Sequence, residues 1–476
     1  MRTWRLGERF LEKYLNKNKF SKSSEVFEWV SGFINLERGQ KPKSFRLERM
    51  SFLAELAGHP EKCAPSIHIA GSKGKGSVTS MLTAMLNAAG FRAARYMSPH
   101  VTDIRERICL GDSFFDEEIY CAAGDELRDI TETRLPLSHA VLFDTSTADG
   151  CEPTFWELLT LLFFLCARQA KCDVMVVETG MGGRLDSTNI LDPLVSVITL
   201  IELEHTAFLG STIAEVAGEK AGIIKKDKPL VLAAQCEEAL QVFKKKAQET
   251  NSDFYYLPQI AELSNIKILK QGTEFNLSLK LSGESQNNTL SIPVPGKVQA
   301  YNAGLAIAAL KIAFPCLTGT QISEDAICRG LKNLRIPGRF ENIGKQLPFI
   351  IDGAHTQESL HLCIETFCSL YGEGNILIFG CAADKDDSAM ANIAHSHFLK
   401  IFITTPGTFK ISDPAKVYNA FCGVTSSEKA ALVMDTQEAI KQAQEFAKEK
   451  ALPILATGSF YLVSEIRKIL MDKERS

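Results

Sequence analysis

The chain has no pair of cysteines at metal-binding spacing. Its 13 cysteines are scattered without a CxxC pair, and the nearest two, Cys363 and Cys368, fit no zinc pattern. They read as small buried hydrophobes of a reducing compartment, and nothing in the sequence selects a catalytic thiol among them. Charge of one sign is also lacking. Lys and Arg number 53 against 57 Asp and Glu, a formal net charge of -4, and the basic residues are spread out rather than gathered. That balance gives no reason to expect nucleic acid or membrane as a partner. Long hydrophobic runs are missing too: the longest, Leu158 to Ala167, is too short to span a bilayer. The opening M-R-T-W-R-L-G-E-R-F is charged where a signal peptide needs an apolar core, so a cytoplasmic location is the default expectation. What is present is the composition of a soluble globular protein, 45% hydrophobic and 23% charged. At 476 residues it exceeds one ordinary core, and two or three domains are expected.

The most informative stretch is I-A-G-S-K-G-K-G-S, Ile69 to Ser77. An alternating apolar segment, Ser66 to Ala70, runs into a glycine-rich turn carrying Lys73 and Lys75. From Ser77 apolar residues recur at Val78, Met81, Leu82, Met85, Leu86 and Ala89, which is helical spacing, and Gly90 stands where the helix would stop. Strand, Gly-Lys turn and helix start together make a phosphate cradle, because glycines let backbone N–H groups close on oxygens and a helix N-terminus favours an anion. The strict G-x-x-x-x-G-K-[ST] pattern is not met, since Gly76 separates Lys75 from Ser77. The competing reading is a surface turn with two solvated lysines.

Up to about Pro65 the chain reads as helical and loop-rich. Beyond the cradle, apolar β-branched segments (Asp173 to Val177, Leu194 to Ile201) alternate with helical ones such as Phe155 to Arg168, which predicts a parallel sheet covered by helices. From Ile266 to Pro293 the period becomes two, with S-G-E-S-Q-N-N-T as a turn-rich break, predicting a small antiparallel hairpin lobe. A helix from about Gln299 to Phe314 follows. The Pro-Gly breaker in L-R-I-P-G-R-F, Leu334 to Phe340, places a domain boundary, 1–335 before it and 336–476 after it. The alternation then restarts through F-I-I-D-G-A-H, a helix from Glu358, I-L-I-F-G, I-F-I-T-T, A-L-V-M-D, I-L-A-T-G-S-F and a last helix from Tyr461. The fold class expected is α/β: a P-loop-type parallel-sheet domain with a small antiparallel lobe, then a smaller Rossmann-like domain.

Polar residues fall at expected strand ends, where open α/β sheets place ligands. V-V-E-T-G-M-G-G-R-L-D-S-T-N ends a buried strand at Glu178, a position that suits Mg²⁺ or, alternatively, caps a backbone turn. In I-E-L-E-H-T, His205 follows Glu204 at the next strand end, as a metal or phosphate ligand or as a satisfied structural histidine. Lys220, in G-E-K-A-G-I-I-K, is a candidate for a buried, chemically altered amine against a solvated one. Arg339 beside the hinge could clamp phosphates or form an interdomain salt bridge.

Together these strings resemble the folylpolyglutamate synthase/dihydrofolate synthase group of the Mur-ligase superfamily. H-I-A-G-S-K-G-K-G-S, Y-M-S-P-H-V-T-D-I-R-E-R-I, P-T-F-W-E-L-L-T, V-V-E-T-G-M-G-G-R-L-D-S-T-N, E-H-T-A-F-L-G, G-E-K-A-G-I-I-K, P-G-R-F-E, I-D-G-A-H and T-G-S-F-Y-L-V occur in the family's order, over about Phe33 to Val463. The resemblance implies an ATP-dependent amide ligase that adds L-glutamate to the γ-carboxylate of folate through an acyl phosphate. It implies that Gly74, Lys75, Gly76 and Ser77 hold the ATP phosphates, with Asn302, Arg339 and Asp352 also at the nucleotide. Ser98, Glu178 and His205 would ligate Mg²⁺, and Lys220 would be carbamylated to help hold a second ion. Lys75, Lys220, His205 and Glu204 form the catalytic set. His355 and Ser459 match glutamate-binding positions, and Thr154 and Phe155 the pterin-side pocket. Folate or dihydropteroate, L-glutamate and ATP are the partners implied, for a chain expected to act as a monomer.

Four departures bear on that carry-over. Glu204 precedes His205 where the family often has Asp, Thr356 stands for Asn in A-H-N, Ser72-Lys73 replaces the usual T-N in the cradle, and Val298 occupies a frequent His position. A close variant is the bifunctional enzyme acting also on dihydropteroate; the other readings are another Mur-type ligase and a non-catalytic ATP-binding module. Ile34 to Met50 looks more like folate-elongating members.

Overall fold

A computed structural model describes residues 19–35, 47–135, 153–281, 286–407, 411–426 and 428–472. The family-like stretch Ile34 to Met50 lies largely outside them. Among the described residues the first sheet has eight strands: β1 (Ser66–Ala70), β2 (Ala93–Tyr96), β3 (Ile108–Leu110), β4 (Ser113–Phe114), β5 (Val174–Glu178), β6 (Val195–Ile198), β7 (Leu230–Leu232) and β8 (Phe254–Tyr256). Their order is β4-β3-β2-β5-β1-β6-β7-β8, parallel from β2 to β8, with β3 and β4 added antiparallel at one edge. β1, β5 and β6 are buried at every residue, as strands covered on both faces must be.

Helices supply the two covers. The helix Phe155–Gln169 is apolar nearly all round and almost wholly buried, so it serves as core rather than as an amphipathic surface helix. It starts at a capping box in which Thr154 and Glu157 satisfy each other's backbone N–H groups. On the other face the helices Lys75–Ala88 and Lys297–Thr318 pack together, with the strands of the small lobe beside them. Lys297–Thr318 is long and apolar enough to cross a membrane by length and composition, yet Leu305, Ile307 and Leu310 are buried inside this core.

The small lobe is a three-stranded antiparallel sheet, not a single hairpin: β9 (Ala261–Leu269), β10 (Gly272–Leu279) and β11 (Gln286–Ile292). β9 reaches five residues upstream of the expected start at Ile266, and β11 takes up Gln286 to Thr289, which the turn-rich composition assigned to the break. Pairing with β10 compensates the poor strand preference of these polar residues. The C-terminal sheet contains β12 (Glu341–Asn342), β13 (Phe349–Ile351), β14 (Asn375–Phe379), β15 (Phe398–Ile403), β16 (Ala430–Leu432) and β17 (Ile454–Thr457), in the order β12-β13-β17-β14-β15-β16. All but β12 are parallel. Short elements went unanticipated, among them β2, β7, β8 and the helices Asp387–Ala394 and Pro414–Cys422.

Candidate active site

The site is built at the carboxyl ends of β1, β5 and β6, and β13, β14 and β17 bring further polar residues. After β1 the chain turns through Gly71 to Gly74. Gly74 caps the helix Lys75–Ala88 at φ +90°, and a Cβ there would stand 2.6 Å from Asn302 Oδ1. Glycine is required twice over, for the left-handed backbone and for the close approach of Asn302. Gly71, at φ +147°, lies so close to Thr199 that a Cβ would overlap its hydroxyl. The Lys75 and Lys220 ammonium groups both donate to the Gly71 carbonyl, each at 2.8 Å. Ser77 is buried in the first helical turn. Lys73 is half-buried, and burial, with Lys75 and Arg339 nearby, lowers its pKa to about 8 against the pull of Glu202 and Glu204.

Glu178 ends β5 with only 2% of its surface exposed. Burial pushes its pKa up to about 7, although Lys75, Arg339 and the Ser98 N–H (3.4 Å from Oε2) act the other way. A Cβ on Gly76 would stand 3.6 Å from that same Oε2, so the carboxylate lies against the first helical turn. Past β6, His205 adopts a left-handed backbone (φ +47°) that starts a short helix and leaves its side chain exposed. Glu204 accepts from Lys220 at 2.7 Å. Burial raises the Glu204 pKa, but Lys75 and Lys220 outweigh it and hold the carboxyl at about 2. Lys220 is 1% exposed, and burial lowers its amine to about 8 despite that partner. The methylene by which Glu204 exceeds an aspartate is thus in use, carrying its carboxylate to Lys220.

The C-terminal unit closes over this charge cluster. The Arg339 guanidinium stacks 4.3 Å over the Phe460 ring and interacts with both Asp352 and Glu178. Asp352 follows β13 and accepts from the Phe340 and Ala354 N–H groups at 2.9 and 2.8 Å. His355 Nδ1 lies 2.8 Å from the Gly353 carbonyl. A carbonyl only accepts, so Nδ1 carries the proton and Nε2 is left as an acceptor. Burial, with Lys73 close by, lowers the His355 pKa to about 3, which keeps the ring neutral. Ser459 is buried after β17, and its hydroxyl caps Tyr461 N at 3.1 Å. Thr356 caps the helix Gln357–Tyr371 through a Thr356–Ser359 box, so threonine meets the local need that asparagine would meet. Val298 is exposed at the start of its helix.

A cavity of about 140 Å³ opens beside the glycine loop after β5, lined by Met50, Thr154, Trp156, Gly180, Asp186 and Phe208 among others. Thr154 reaches its wall, but Phe155 does not: its ring is 2% exposed and packs in the core, while the Trp156 indole lines the space. The buried Arg49–Glu157 pair (2.8 Å) sits at the rim. Asp186 also lines the cavity. It accepts from Thr188 Oγ1 at 2.5 Å and Met181 N at 2.9 Å, and Thr188 Oγ1 lies 2.8 Å from Nε2 of His68 on β1. Sequence reasoning missed Trp156, Asp186, Arg49 and Phe460. Trp156, Asp186 and Phe460 lie inside the family-like motifs, yet the roles of Arg49 and Phe460 depend on partners more than a hundred residues away, Glu157 and Arg339.

A glycine-lysine turn between a parallel strand and a helix, a buried carboxylate on the adjacent strand and a second α/β unit supplying Arg339 and His355 define a two-part, Mur-type ligase. Residues 141–310 match the Mur ligase middle domain, and residues 338–460 match the Mur ligase glutamate ligase domain. The dihydrofolate synthase/folylpolyglutamate synthase of Bacillus subtilis is 32% identical over 95% of this chain and 100% of its own length. The folylpolyglutamate synthase of Lacticaseibacillus casei is 29% identical, with 89% of this chain and 94% of the relative covered. Among solved structures, the Mycobacterium tuberculosis folylpolyglutamate synthase complexed with ADP and AMPPCP superposes with a TM-score of 0.83 at 26% identity, covering 94% of this chain and 99% of that one. An FPGS–AMPPCP–folate complex gives 0.80 at 27% identity, over 94% and 100%. The chain belongs to the folylpolyglutamate synthase/dihydrofolate synthase family and is a ligase.

Proposed function

We propose that this chain joins L-glutamate to the γ-carboxylate of a folate at the expense of ATP, through an acyl phosphate, and works in the cytoplasm as a monomer. The observation that carries this reading is the convergence of the Gly74–Ser77 turn and Glu178 from one unit with Arg339, Asp352 and His355 from the other. Residues 1–335 then form the ATP- and folate-binding part and 336–476 the glutamate-binding part.

A carboxylate is a poor electrophile, and phosphorylation gives it a leaving group, so the residues must hold phosphate and carboxylate oxygens together against their repulsion. The N–H groups of Gly74 to Ser77 and the Lys75 ammonium take the phosphate oxygens, leaving the Gly71 carbonyl to Lys220. Arg339, already flat against Phe460, offers a fork to the transferring phosphoryl group. Asn302 abuts the turn and fixes its Gly74 edge. Mg²⁺ suits the hard oxygen donors Ser98 and Glu178, with His205 as the further ligand that the family resemblance implies, and when bound it would neutralise phosphate charge. The high pKa of Glu178 fits a carboxylate awaiting a cation. Neutral His355, with Nε2 free to accept, and Ser459 would orient the glutamate amine toward the acyl phosphate. Thr154 and Trp156 face the space for the pterin side.

The test is ATP-dependent incorporation of labelled L-glutamate, with tetrahydrofolate and dihydropteroate as parallel acceptors. Incorporation with tetrahydrofolate alone supports the folate elongator, and with both the bifunctional enzyme. Incorporation with neither, by protein that binds Mg-ATP, overturns the proposal.

A further inference from the structure

On the far side of the C-terminal sheet, away from the strand ends that carry the ligase site, three ligand-type side chains meet. Cys368 lies in the last turn of the helix Gln357–Tyr371, Glu373 in the following loop, and His397 immediately before β15. Their ligand atoms all fall within 4.8 Å of one another. Cys368 Sγ is 3.5 Å from Glu373 Oε2, and His397 Nδ1 is 3.0 Å from the same oxygen. A tetrahedral centre with metal–sulfur and metal–oxygen bonds of about 2.3 and 2.0 Å separates sulfur from oxygen by about 3.5 Å, and nitrogen from oxygen by roughly 3.3 Å. The two separations to the carboxylate oxygen are therefore already close to those of such a centre, and the sulfur lies within 4.8 Å of the imidazole.

Backbone bonds hold them there. Gly372 N donates to the Cys368 carbonyl and Gly374 N to the His397 carbonyl, both at 2.8 Å. Glu373 is fixed between two glycines in the left-handed region, at φ +79° and +78°, so the loop ties the helix end to the start of β15 through the carboxylate's own neighbours. Without a metal the trio is a histidine–carboxylate pair with a thiol as third member.

We propose that Cys368, Glu373 and His397 form a site for a zinc-class transition-metal ion, with the fourth position open to water. The donor set, thiolate with imidazole and one carboxylate, favours Zn²⁺ or Co²⁺ over the oxygen-seeking Mg²⁺. Binding replaces the thiol S–H bond by a sulfur–metal bond, and the proton passes to solvent. The site lies at the amino ends of β14 and β15, so its role is to clamp helix, loop and strand of the C-terminal unit, separate from ligation.

The test uses the full chain after chelator treatment, titrated with Co²⁺ and then Zn²⁺ in excess Mg²⁺. One equivalent of Co²⁺ should give a thiolate-to-metal charge-transfer band in the near ultraviolet, which Zn²⁺ displaces, and Zn²⁺ should raise the melting temperature. Cys368→Ser should abolish the band, His397→Ala should weaken Zn²⁺ binding by roughly tenfold or more, and Cys316→Ser, at an exposed cysteine elsewhere, should change neither. His397→Ala and Glu373→Gln provide independent readings if the serine variant does not fold. No band in the unaltered chain, a band that survives Cys368→Ser, or Zn²⁺ affinity unmoved by His397→Ala would each overturn the proposal.

Discussion

Glu178→Gln should make the metal-free protein more stable, and only above a definite pH. The carboxyl is nearly inaccessible and its pKa is raised from 4.5 to about 7, chiefly by burial. Between those values the folded chain holds a proton that the unfolded chain has released, so stability falls as pH rises through that window, and the penalty is complete above 7. A shift of about 2.5 units corresponds to about 3 kcal/mol at pH 8 and about 1 kcal/mol at pH 5. Glutamine keeps the shape and carries no charge at any pH. The variant's advantage in melting temperature should therefore be small at pH 5 and several degrees at pH 8. Thermal melts of chelator-treated protein at both pH values read this directly. Mg-ATP should then stabilise the unaltered chain more than the variant, and ligation by the variant should collapse. An equal offset at both pH values, or a variant less stable at pH 8, would refute the argument that burial outweighs the charges around this carboxylate.

Gly74→Ala should weaken ATP binding by tenfold or more, on the order of 1.4 kcal/mol, since a Cβ meets Asn302 and the residue stands at φ +90°; nucleotide titration checks it. Lys75→Ala should abolish ligation while circular dichroism shows the fold retained, because the phosphate-facing charge is lost along with its bond to Gly71 and its pull on Glu178 and Glu204. Phe155→Ala should cost about 3–5 kcal/mol of stability as a core cavity, whereas Trp156→Ala should chiefly raise KM for the folate acceptor.

The architecture was legible where periodicity was long and local. The core helix from Phe155, the cradle helix and the restart of α/β alternation after Phe340 all follow from residue spacing. What escaped was set by tertiary pairing. Gln286 to Thr289 have turn composition, yet they pair with β10, and that partner decides their conformation. Likewise Phe155 and Trp156 are equally aromatic in a string, and only the orientation of their helix tells core from cavity wall. The strand-end residues Glu178, Glu204, Asp352 and Ser459 could be named in advance because a parallel sheet forces carboxyl-terminal loops to one side. Their charge states could not, since these depend on partners as distant in sequence as Lys75 and Arg339 are from Glu178.

Lys220 carries two demands that pull against each other. As an ammonium it is well placed, donating to Glu204 and Gly71 from a buried position. As a carbamate it would be an anion facing the Glu204 carboxylate and the Gly71 carbonyl, and it would have to turn away from both. Only the neutral amine attacks CO₂. With its pKa lowered to about 8, about 10% of Lys220 is neutral at pH 7 and half at pH 8, against roughly 0.03% at pH 7 for an ordinary lysine. Carbamylation is thereby favoured by burial and opposed by the 2.7 Å pair with Glu204. If the modified form is the active one, bicarbonate should activate CO₂-depleted enzyme, and at a fixed concentration of dissolved CO₂ the activation rate should rise about fivefold from pH 7 to pH 8, following the neutral fraction of Lys220. Lys220→Ala should then recover part of its lost activity with small carboxylic acids. If bicarbonate has no effect between pH 6.5 and 8.5, the Lys220 ammonium is the working species, and the extra methylene of Glu204 is what keeps it so.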